Sequence, residues 1–335
     1  LDGFKDPSEL HSHDAVNFKA TFADALAKAK PFGFIESGFE TSLARLVGER
    51  EERIEFGKKT LPFGVNFLDQ ALGGIAPRDV ILLGAKTGAG KTQLATIIAQ
   101  HNCAQGKRVH YFALEAEDLE IERRMKYNIV ADLYYRNTMS HCPIRYLDWH
   151  LGKLDHLLAS YEDQAERTIA PVLKNLHTFY REKNFTSDDF VQKLALIRND
   201  TDLVILDHLH YVDSDDPDVN RGYKQTVKHV RDAAIESGKP VIIVAHVRKG
   251  ERRRYEPLIP SVEDFHGSSD IPKISTKAIM IAVAYDQEKA QPYLWNTYVQ
   301  IAKCRSDGGL AQYAAVCVYN ARQNVYEHDY RLGRL

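Results

Sequence analysis

A stretch of 21 residues, 80–100, constrains the fold of this chain more than any other feature. It reads VILLGAKTGAGKTQLATIIAQ. An apolar run ends at Gly84, small residues follow, and Gly90-Lys91-Thr92 leads into an apolar pattern of helical spacing. A buried strand, a glycine-rich turn and a helix in this order form a cradle for phosphate. The stretch therefore predicts an α/β nucleotide-binding domain.

Each residue type in this loop has a predicted task. The glycines let backbone N–H groups turn inward, toward phosphate oxygens that also face the positive end of the helix. Lys91 can reach the β and γ phosphates, and the Thr92 hydroxyl can bind Mg²⁺. We expect ATP, or another NTP or dNTP, together with Mg²⁺. The predicted nucleotide-binding residues of the loop are Ala85, Gly88, Ala89, Gly90, Lys91, Thr92 and Gln93.

The rest of the chain has the rhythm of an α/β domain from about residue 58. Strand-like runs without polar alternation indicate strands buried on both faces, as in a parallel sheet covered by helices. Helix-sized gaps separate the early runs, whereas the last two follow each other closely and predict an antiparallel pair. Residues 117–200 are rich in helix formers. The predicted strands are 79–85, 108–115, 202–208, 240–246, 277–285, 297–305 and 313–320.

Composition excludes several classes of protein. The 335 residues include 44% hydrophobic and 27% charged residues, which is typical of a globular protein. No apolar run is long enough to span a bilayer, and no signal peptide is visible. The four cysteines form no CxxC pair, so a zinc site or a disulfide framework is not expected. The net charge of −2 means that a nucleic-acid partner would need a local basic patch.

Two carboxylates follow predicted strands and are candidates for phosphate chemistry. Asp207 ends the apolar run DLVILD, at the strand edge where α/β proteins bind ligands, and is predicted to hold Mg²⁺. Glu115 ends RVHYFALE and would face the γ phosphate as a general base if its strand neighbours the P-loop strand. A helix cap is the alternative for Asp207, and a solvated helix start is the alternative for Glu115. For Glu117, Asp118, Glu120 and Glu122 we expect a solvated acidic helix start.

His246 ends a further strand and precedes the densest basic segment. A histidine there can contact a γ phosphate and report its loss, although a structural histidine is equally compatible with the position. The segment 247–257 then predicts a loop that holds single-stranded DNA phosphates, with a solvated basic turn as the alternative. A second loop, 266–270, has small residues that allow close approach to phosphate. The predicted DNA contacts are Arg248, Lys249, Arg252, Arg253, Arg254, His266, Gly267 and Ser268.

The N-terminal 57 residues are predicted to be a stub and linker before a domain at 58–335. Residues 1–40 are irregular, with one possible helix broken at Pro31 and Gly33. Residues 41–56 predict a lone amphipathic helix with Leu43, Leu46, Val47 and Ile54 near one face. That face packs either on its own domain or on a neighbouring subunit. Because the chain begins at Leu1 rather than Met, we expect a piece of a longer protein.

Taken together, these motifs resemble the RecA-like hexameric replicative helicases, and most closely the DnaB-type enzymes, the phage primase–helicases and mitochondrial Twinkle. The resemblance covers about residues 58–327. It includes LPFGVNFLDQALGGIAPRDVILLGAKTGAGKT, YFALE, VILDHLHYV, IIVAHVRK with the histidine form of the sensor, VEDFHGSSDI, and IAKCRSDGGLAQYAAVCVYNARQNVYE. GFKDPSELH is similar to the end of a Toprim primase domain.

The resemblance implies catalysis across a subunit interface. Arg305 would be an arginine finger and Lys303 its companion; two cations two residues apart on a strand share one face. Tyr319 would lie near the nucleotide base. Two departures weaken the expected DNA contacts, since His266 stands where the family usually has Arg and Asp270 adds a negative charge. His210 replaces a frequent Gln.

We therefore predict a RecA-like ATPase that assembles with itself as a hexamer or heptamer ring. It would translocate 5′ to 3′ on single-stranded DNA and unwind duplex at a replication fork, with primase and polymerase as further partners and no membrane. The family implies the cytoplasm of a bacterium or phage-infected host, or the mitochondrial matrix. Three alternatives stay open: a RecA-type recombinase filament, a nucleotide-gated DNA clamp or switch without unwinding, and a KaiC-like signalling ATPase.

Overall fold

The computed structural model describes residues 7–28, 42–140, 142–153, 155–181, 184–214, 216–247, 271–283, 294–308, 313–320 and 325–334. Contacts divide the chain into two compact units, Leu1–Ile54 and Glu55–Leu335. Within the described ranges, no helix has both the length and the apolar character that crossing a membrane requires.

From residue 66 onward the described elements are a mixture of helices and strands. The helices are α1 (Pro7–His13), α2 (Phe18–Lys28), α3 (Ser42–Leu46), α4 (Glu49–Lys58), α5 (Asn66–Leu72), α6 (Lys91–Ala104), α7 (Glu120–Thr138), α8 (Tyr146–His150), α9 (Ala159–Leu173), α10 (Ser187–Ile197), α11 (Val219–Ser237) and α12 (Ile271–Ile274). The strands are β1 (Val80–Ala85), β2 (Val109–Ala113), β3 (Leu176–Tyr180), β4 (Leu203–Asp207), β5 (Val241–His246), β6 (Lys277–Val283), β7 (Leu294–Cys304), β8 (Tyr313–Asn320) and β9 (Val325–Arg334).

All of these strands join one sheet in the order β3-β2-β4-β5-β1-β6-β7-β8-β9. The pairs from β3 to β6 are parallel, and the pairs β6–β7, β7–β8 and β8–β9 are antiparallel. The prediction of a mostly parallel sheet with antiparallel C-terminal strands is confirmed. Because β1, β4 and β5 run parallel in adjacent positions, their carboxyl ends lie at the same edge of the sheet.

Helices cover both faces of the parallel part, which explains why its strands are apolar throughout. In β1, Ile81 and Leu83 pack into one core with α6, α7 and α9, whereas Val80 and Leu82 pack into a second core with α10 and α11. A third cluster, around the buried Tyr127, joins α7, α8 and α9.

A buried ion pair fastens the start of β1 to the start of β6. The Lys277 ammonium donates to Asp79 at 2.6 Å and to the carbonyl of Gly74 at 2.7 Å. The Thr276 hydroxyl donates to the other carboxylate oxygen of Asp79 at 2.7 Å. The paired groups satisfy one another in a site that is almost closed to water, so the two strands keep a fixed register.

Several predicted boundaries were wrong. The sequence analysis missed β3, which lies inside the segment predicted to be helical, and β9, which follows the last predicted strand. β2 ends at Ala113, two residues before Glu115, and β7 ends at Cys304. The predicted single helix at 41–56 is two helices, α3 and α4, because Gly48 adopts φ +81° between them.

The N-terminal unit has few buried apolar side chains among its described residues. Leu10 is buried in α1, and the rings of His11, Phe18 and Phe22 contact one another in series. On α3 and α4, Leu43, Leu46 and Ile54 are exposed.

Candidate functional site

The glycine loop joins β1 to α6 as the sequence predicted. Gly88 has φ +78° and Gly90, which caps α6, has φ +88°. Both values lie in the left-handed region, where a side chain is disfavoured, so glycine lets the loop curl around the helix start. The backbone N–H groups of the first turn of α6 therefore point toward the space above β1, where an anion is favoured.

A cavity of about 350 Å³ opens above this loop. Its walls come from the loop, from the segment after β2, from the last residues of β4 and β5, and from the start of α7. The lining residues are Thr87, Gly88, Gly90, Lys91, Thr92, Gln93, Glu115, Ala116, Glu120, Arg124, Asp207 and His246. Of the predicted loop residues, Ala85 and Ala89 are buried beside this lining rather than in it. The side-chain amide of Gln93 is buried, and neither its nitrogen nor its oxygen has a hydrogen-bond partner among the described residues.

Lys91 is a buried cation in this cavity, with 6% of its surface exposed. Its ammonium lies 3.1 Å from Nδ1 of His246 and 3.4 Å from the carbonyl oxygen of Lys86. Burial lowers the pKa of Lys91, and the charges of Glu115 and Asp207 oppose that shift. A buried cation that is held by neutral acceptors is suited to bind phosphate.

Asp207 ends β4 and is 2% exposed. Its Oδ2 accepts a hydrogen bond of 2.7 Å from the hydroxyl of Tyr111 on β2, while its Oδ1 is buried without a hydrogen-bond partner among the described residues. Burial raises the pKa of Asp207 to about 6, against the opposing effects of the Tyr111 and Thr92 hydroxyls. An unpaired carboxylate oxygen near a threonine hydroxyl is a donor set that fits Mg²⁺, which prefers oxygen ligands.

Glu115 lines the cavity, although the reason offered from sequence was wrong. β2 does not neighbour β1, because β4 and β5 lie between them. The chain instead crosses beside the end of β4, where the N–H of Leu114 donates to the carbonyl of Asp207 at 2.5 Å. That backbone bond carries Glu115, which is exposed, to the same edge as Asp207.

His246 ends β5 and is paired in register with Ala85 at the end of β1. Its Nδ1 lies 3.1 Å from the Lys91 ammonium and 3.4 Å from the Thr87 hydroxyl. The position predicted for a γ-phosphate sensor is therefore in direct contact with the lysine predicted to bind phosphate.

Sequence reasoning gave no role to two histidines and a tyrosine that support these groups. His208 is buried directly after Asp207, and its ring centroid lies 4.0 Å from that of His246. His210 lies 5.6 Å from His246 by the same measure. The histidine after Asp207 was visible in the sequence, but no local pattern indicated that its ring would contact His246 at the end of β5. Tyr111 was missed for a similar reason, because it looks in the sequence like one of several apolar positions of β2.

The acidic start of α7 is solvated only in part, because Glu117 and Asp118 are exposed as expected, whereas Glu120 and Glu122 are half-buried. Glu120 accepts hydrogen bonds from Arg124 at 2.6 and 2.8 Å, and this pair lines the cavity. The Arg124 guanidinium also lies 5.5 Å from the ring centre of Tyr146. Glu122 accepts hydrogen bonds from Thr178 and Tyr180 on β3 and so ties α7 to the sheet.

The residues predicted to act across an interface lie away from the lining of this cavity. The Lys303 ammonium donates to the carbonyl of Ser275 at 2.7 Å and contacts the carbonyl of Lys273 at 3.3 Å. Burial, with Arg305 and Arg231 nearby, lowers the pKa of Lys303. Arg305 is exposed and lies one residue beyond the end of β7, so only Lys303 of the two cations belongs to the strand itself. The backbone of Tyr319 pairs with Trp295 and Tyr326 in the sheet.

The predicted DNA-binding residues lie outside the described part of the chain. These are Arg248, Lys249, Arg252, Arg253, Arg254, His266, Gly267 and Ser268. The described chain stops at Val247, one residue after His246, and resumes at Ile271.

Comparisons with known proteins agree with this architecture. The family model for the DnaB-like helicase C-terminal domain matches residues 60–316. A solved structure described as an ATPase domain superposes with a TM-score of 0.68 at 16% identity, covering 86% of this chain and 99% of that one. "The Structure Of A DnaB-Like Replicative Helicase And Its Interactions With Primase" gives 0.69 at 16% identity, covering 96% and 73%. A search of curated proteins gave no match.

Proposed function

The chain belongs to the DnaB-like helicase C-terminal domain family, and from that premise we propose that it hydrolyses a nucleoside triphosphate to move 5′ to 3′ along single-stranded DNA and to unwind duplex at a replication fork. Residues 58–335 would form the motor and residues 1–57 a linker with a subunit-docking helix. The protein would act where DNA is replicated, in a bacterial or phage-infected cytoplasm or in a mitochondrial matrix.

The observation that carries this proposal is that the segment after β2, the end of β4 and the end of β5 all meet the glycine loop at one cavity. A nucleotide-binding switch needs the loop and one metal-binding carboxylate. This cavity also has the exposed carboxylate of Glu115 and, in contact with Lys91, the ring of His246. Hydrolysis requires a general base, which Glu115 would supply, and coupling of hydrolysis to movement requires a group that senses the γ phosphate, which His246 would supply.

In the mechanism, Lys91 binds the β and γ phosphates, and the backbone N–H groups of the loop bind the remaining oxygens. Thr92 and Asp207 would hold Mg²⁺, which supplies charge neutralisation for the transferring phosphoryl group. The Asp207 carboxylate must be ionised for this task. At neutral pH a pKa of about 6 leaves it mostly ionised.

Glu115 acts as the general base in this scheme. Its carboxylate orients a water molecule toward the γ phosphate and takes the proton that the water loses on attack. The exposed Glu115 side chain is open to water at the cavity mouth, while Asp207 is closed off below it. The two carboxylates therefore have separate roles, set by their different burial.

His246 would report the state of the γ phosphate. The Lys91 ammonium lies 3.1 Å from Nδ1 of His246 and donates to it. A γ phosphate competes for that same ammonium, so binding and release of phosphate break and make the Lys91–His246 contact. Because the basic segment begins at Arg248, two residues on, we propose that this exchange shifts the DNA-holding loop.

Arg305 and Lys303 would complete the site of a neighbouring subunit in a homo-hexamer or heptamer ring. In support, Lys303 is held on backbone carbonyls of its own chain, away from its own cavity. An arginine supplied across an interface stabilises the charge that develops on the γ phosphate. Tyr319 would contact the base, and the loops at 248–254 and 266–268 would contact DNA phosphates. Primase and polymerase are the further partners we propose.

The experiment that tests the proposal compares NTPase rates with and without single-stranded DNA. We expect stimulation by DNA, loss of hydrolysis in Glu115→Gln, and retained nucleotide binding in that variant. A rate indifferent to DNA would favour a signalling ATPase. A recombinase would instead form extended filaments, which negative-stain micrographs distinguish from closed rings.

A further inference from the structure

His208 is a buried histidine that the scheme above leaves without a task. It is 0% exposed and follows Asp207 at the end of β4. Its Nε2 is buried and has no hydrogen-bond partner among the described residues. A buried polar atom without a partner costs free energy, so its retention beside a reactive site calls for a partner that arrives later.

The hydrogen bonds of the other ring nitrogen fix which atom carries the proton. Nδ1 of His208 accepts from the backbone N–H of His210 at 3.3 Å and lies 3.1 Å from Nδ1 of His210. An acceptor at Nδ1 in a neutral imidazole means that the hydrogen is on Nε2. The orphan atom is thus a hydrogen-bond donor.

The carboxylate of Glu115 is an acceptor that lies close to the ring of His208. One ring nitrogen of His208, one of His246 and one carboxylate oxygen of Glu115 lie within 4.8 Å of one another. A single water molecule can bridge two polar atoms that are separated by a distance of this size. Hydrogen bonds of catalytic groups are commonly long before substrate binds and shorten in the loaded site.

We propose that the Nε2–H of His208 donates a hydrogen bond to the carboxylate of Glu115 in the nucleotide-loaded site and so aims this base at the attacking water. His208 is then a positioning residue, and this proposal rests on the role proposed above for Glu115. Its ring also packs on His246, 4.0 Å between centroids, so one side chain aligns the base and the sensor.

A purely structural role for His208 makes the opposite prediction about two substitutions. The histidine caps a short 3₁₀ turn, since Nδ1 accepts from the His210 N–H. Asparagine reproduces the Nδ1 acceptor and is a good cap, but its amide stops short of the Nε2 position. Glutamine reaches the Nε2 position with an N–H donor but loses the cap.

The test therefore compares His208→Asn with His208→Gln in the full chain. We measure kcat and KM for hydrolysis with single-stranded DNA, and the affinity for a fluorescent nucleoside diphosphate. We expect His208→Asn to lower kcat about 10- to 100-fold with KM little changed, as for a base misplaced by about an ångström. His208→Gln should keep kcat within about threefold of wild type on the same reasoning, and both variants should bind the diphosphate normally.

The reverse order, with Asn active and Gln impaired, overturns the proposal and leaves only the capping role. Equal activity in the two variants overturns it too. If one variant does not fold, as judged by its melting curve and diphosphate binding, the other still decides by its kcat. Failure of the proposed function has a separate signature, because Glu115→Gln would then hydrolyse normally whatever the His208 variants do.

Discussion

Removing the Tyr111 hydroxyl tests how a buried hydrogen bond sets the charge of the Asp207 carboxylate. The hydroxyl donates to Oδ2 at 2.7 Å, in a setting where both residues are buried. In Tyr111→Phe the carboxylate loses a donor that favours its ionised form, so its pKa must rise. The substitution removes one heavy atom and leaves the ring in the core, which separates the electrostatic effect from packing.

The size of the effect follows from the strength of a hydrogen bond to a charged group. Such a bond contributes about 1.5–3 kcal/mol, which is roughly 1–2 pKa units. Since Asp207 starts at a pKa of about 6, it would titrate in the variant at about 7–8. Only the ionised form holds Mg²⁺, so the Mg²⁺ requirement at pH 7 should rise by about 2- to 10-fold. At pH 9 both forms are ionised and the difference should nearly vanish.

The assay is a Mg²⁺ titration of nucleotide hydrolysis at about pH 6, 7, 8 and 9, which brackets these pKa values. Tyr127→Phe is the matched control, because it also removes a buried hydroxyl, one that donates to the carbonyl of Ile144 away from the cavity. We expect the control to follow wild type at every pH. A Tyr111→Phe variant whose Mg²⁺ requirement is unchanged at the lowest pH, or equally changed across the whole range, would refute this reasoning.

Three further predictions follow from the same structure. Asp207→Asn should stabilise the metal-free chain at pH 8 by about 1–3 kcal/mol. The folded pKa of about 6 lies above that of an unfolded aspartate, so the favourable contribution of the protonated carboxyl is complete below about pH 4 and is lost as the pH rises through 6. At pH 8 the folded chain therefore contains a buried charge that asparagine lacks. Melting curves in chelator check this, and a less stable Asn variant at pH 8 contradicts it. Arg305→Ala should abolish hydrolysis but bind nucleotide, and mixing it with Lys91→Ala chains should restore some activity; a normal rate in Arg305→Ala alone removes the interface role. Gly64→Ala should lower the free energy of unfolding by about 2 kcal/mol or more, since its φ is +71° and a Cβ would lie 2.3 Å from His101. Gly106→Ala, with φ +76° and open space around it, should cost only about 1 kcal/mol, and equal losses in denaturant melts would contradict the clash.

The parallel part of the fold was readable from sequence because its strands are buried on both faces. Such strands are continuous apolar runs, and β1, β4 and β5 were located to within about a residue or two. β3 was missed because it is a sheet edge with mixed burial, LHTFY, which lacks that signature. β9 was missed because its sequence, VYEHDYRLGR, carries several charges and does not look like a buried strand. It is a strand because it pairs with β8.

The candidate site divides in the same way. Lys91, Asp207 and His246 stand at fixed points of a local pattern, so their positions at the sheet edge could be predicted. Glu115 reaches the cavity for a reason that needed the strand order, which the sequence does not specify. The support of Asp207 by Tyr111 joins residues 96 apart, and the ring contact between His208 and His246 joins the ends of β4 and β5. Contacts of that kind depend on sheet register, which single-sequence patterns do not contain.

The most direct measurement is strand separation of a forked DNA duplex by the wild-type chain, with Glu115→Gln as the matched inactive control. The account predicts displacement that requires hydrolysable NTP, Mg²⁺ and a free 5′ tail on the strand along which the motor moves. A preparation that hydrolyses NTP in the presence of DNA yet separates no strands, or one that works equally well in Glu115→Gln, would contradict it.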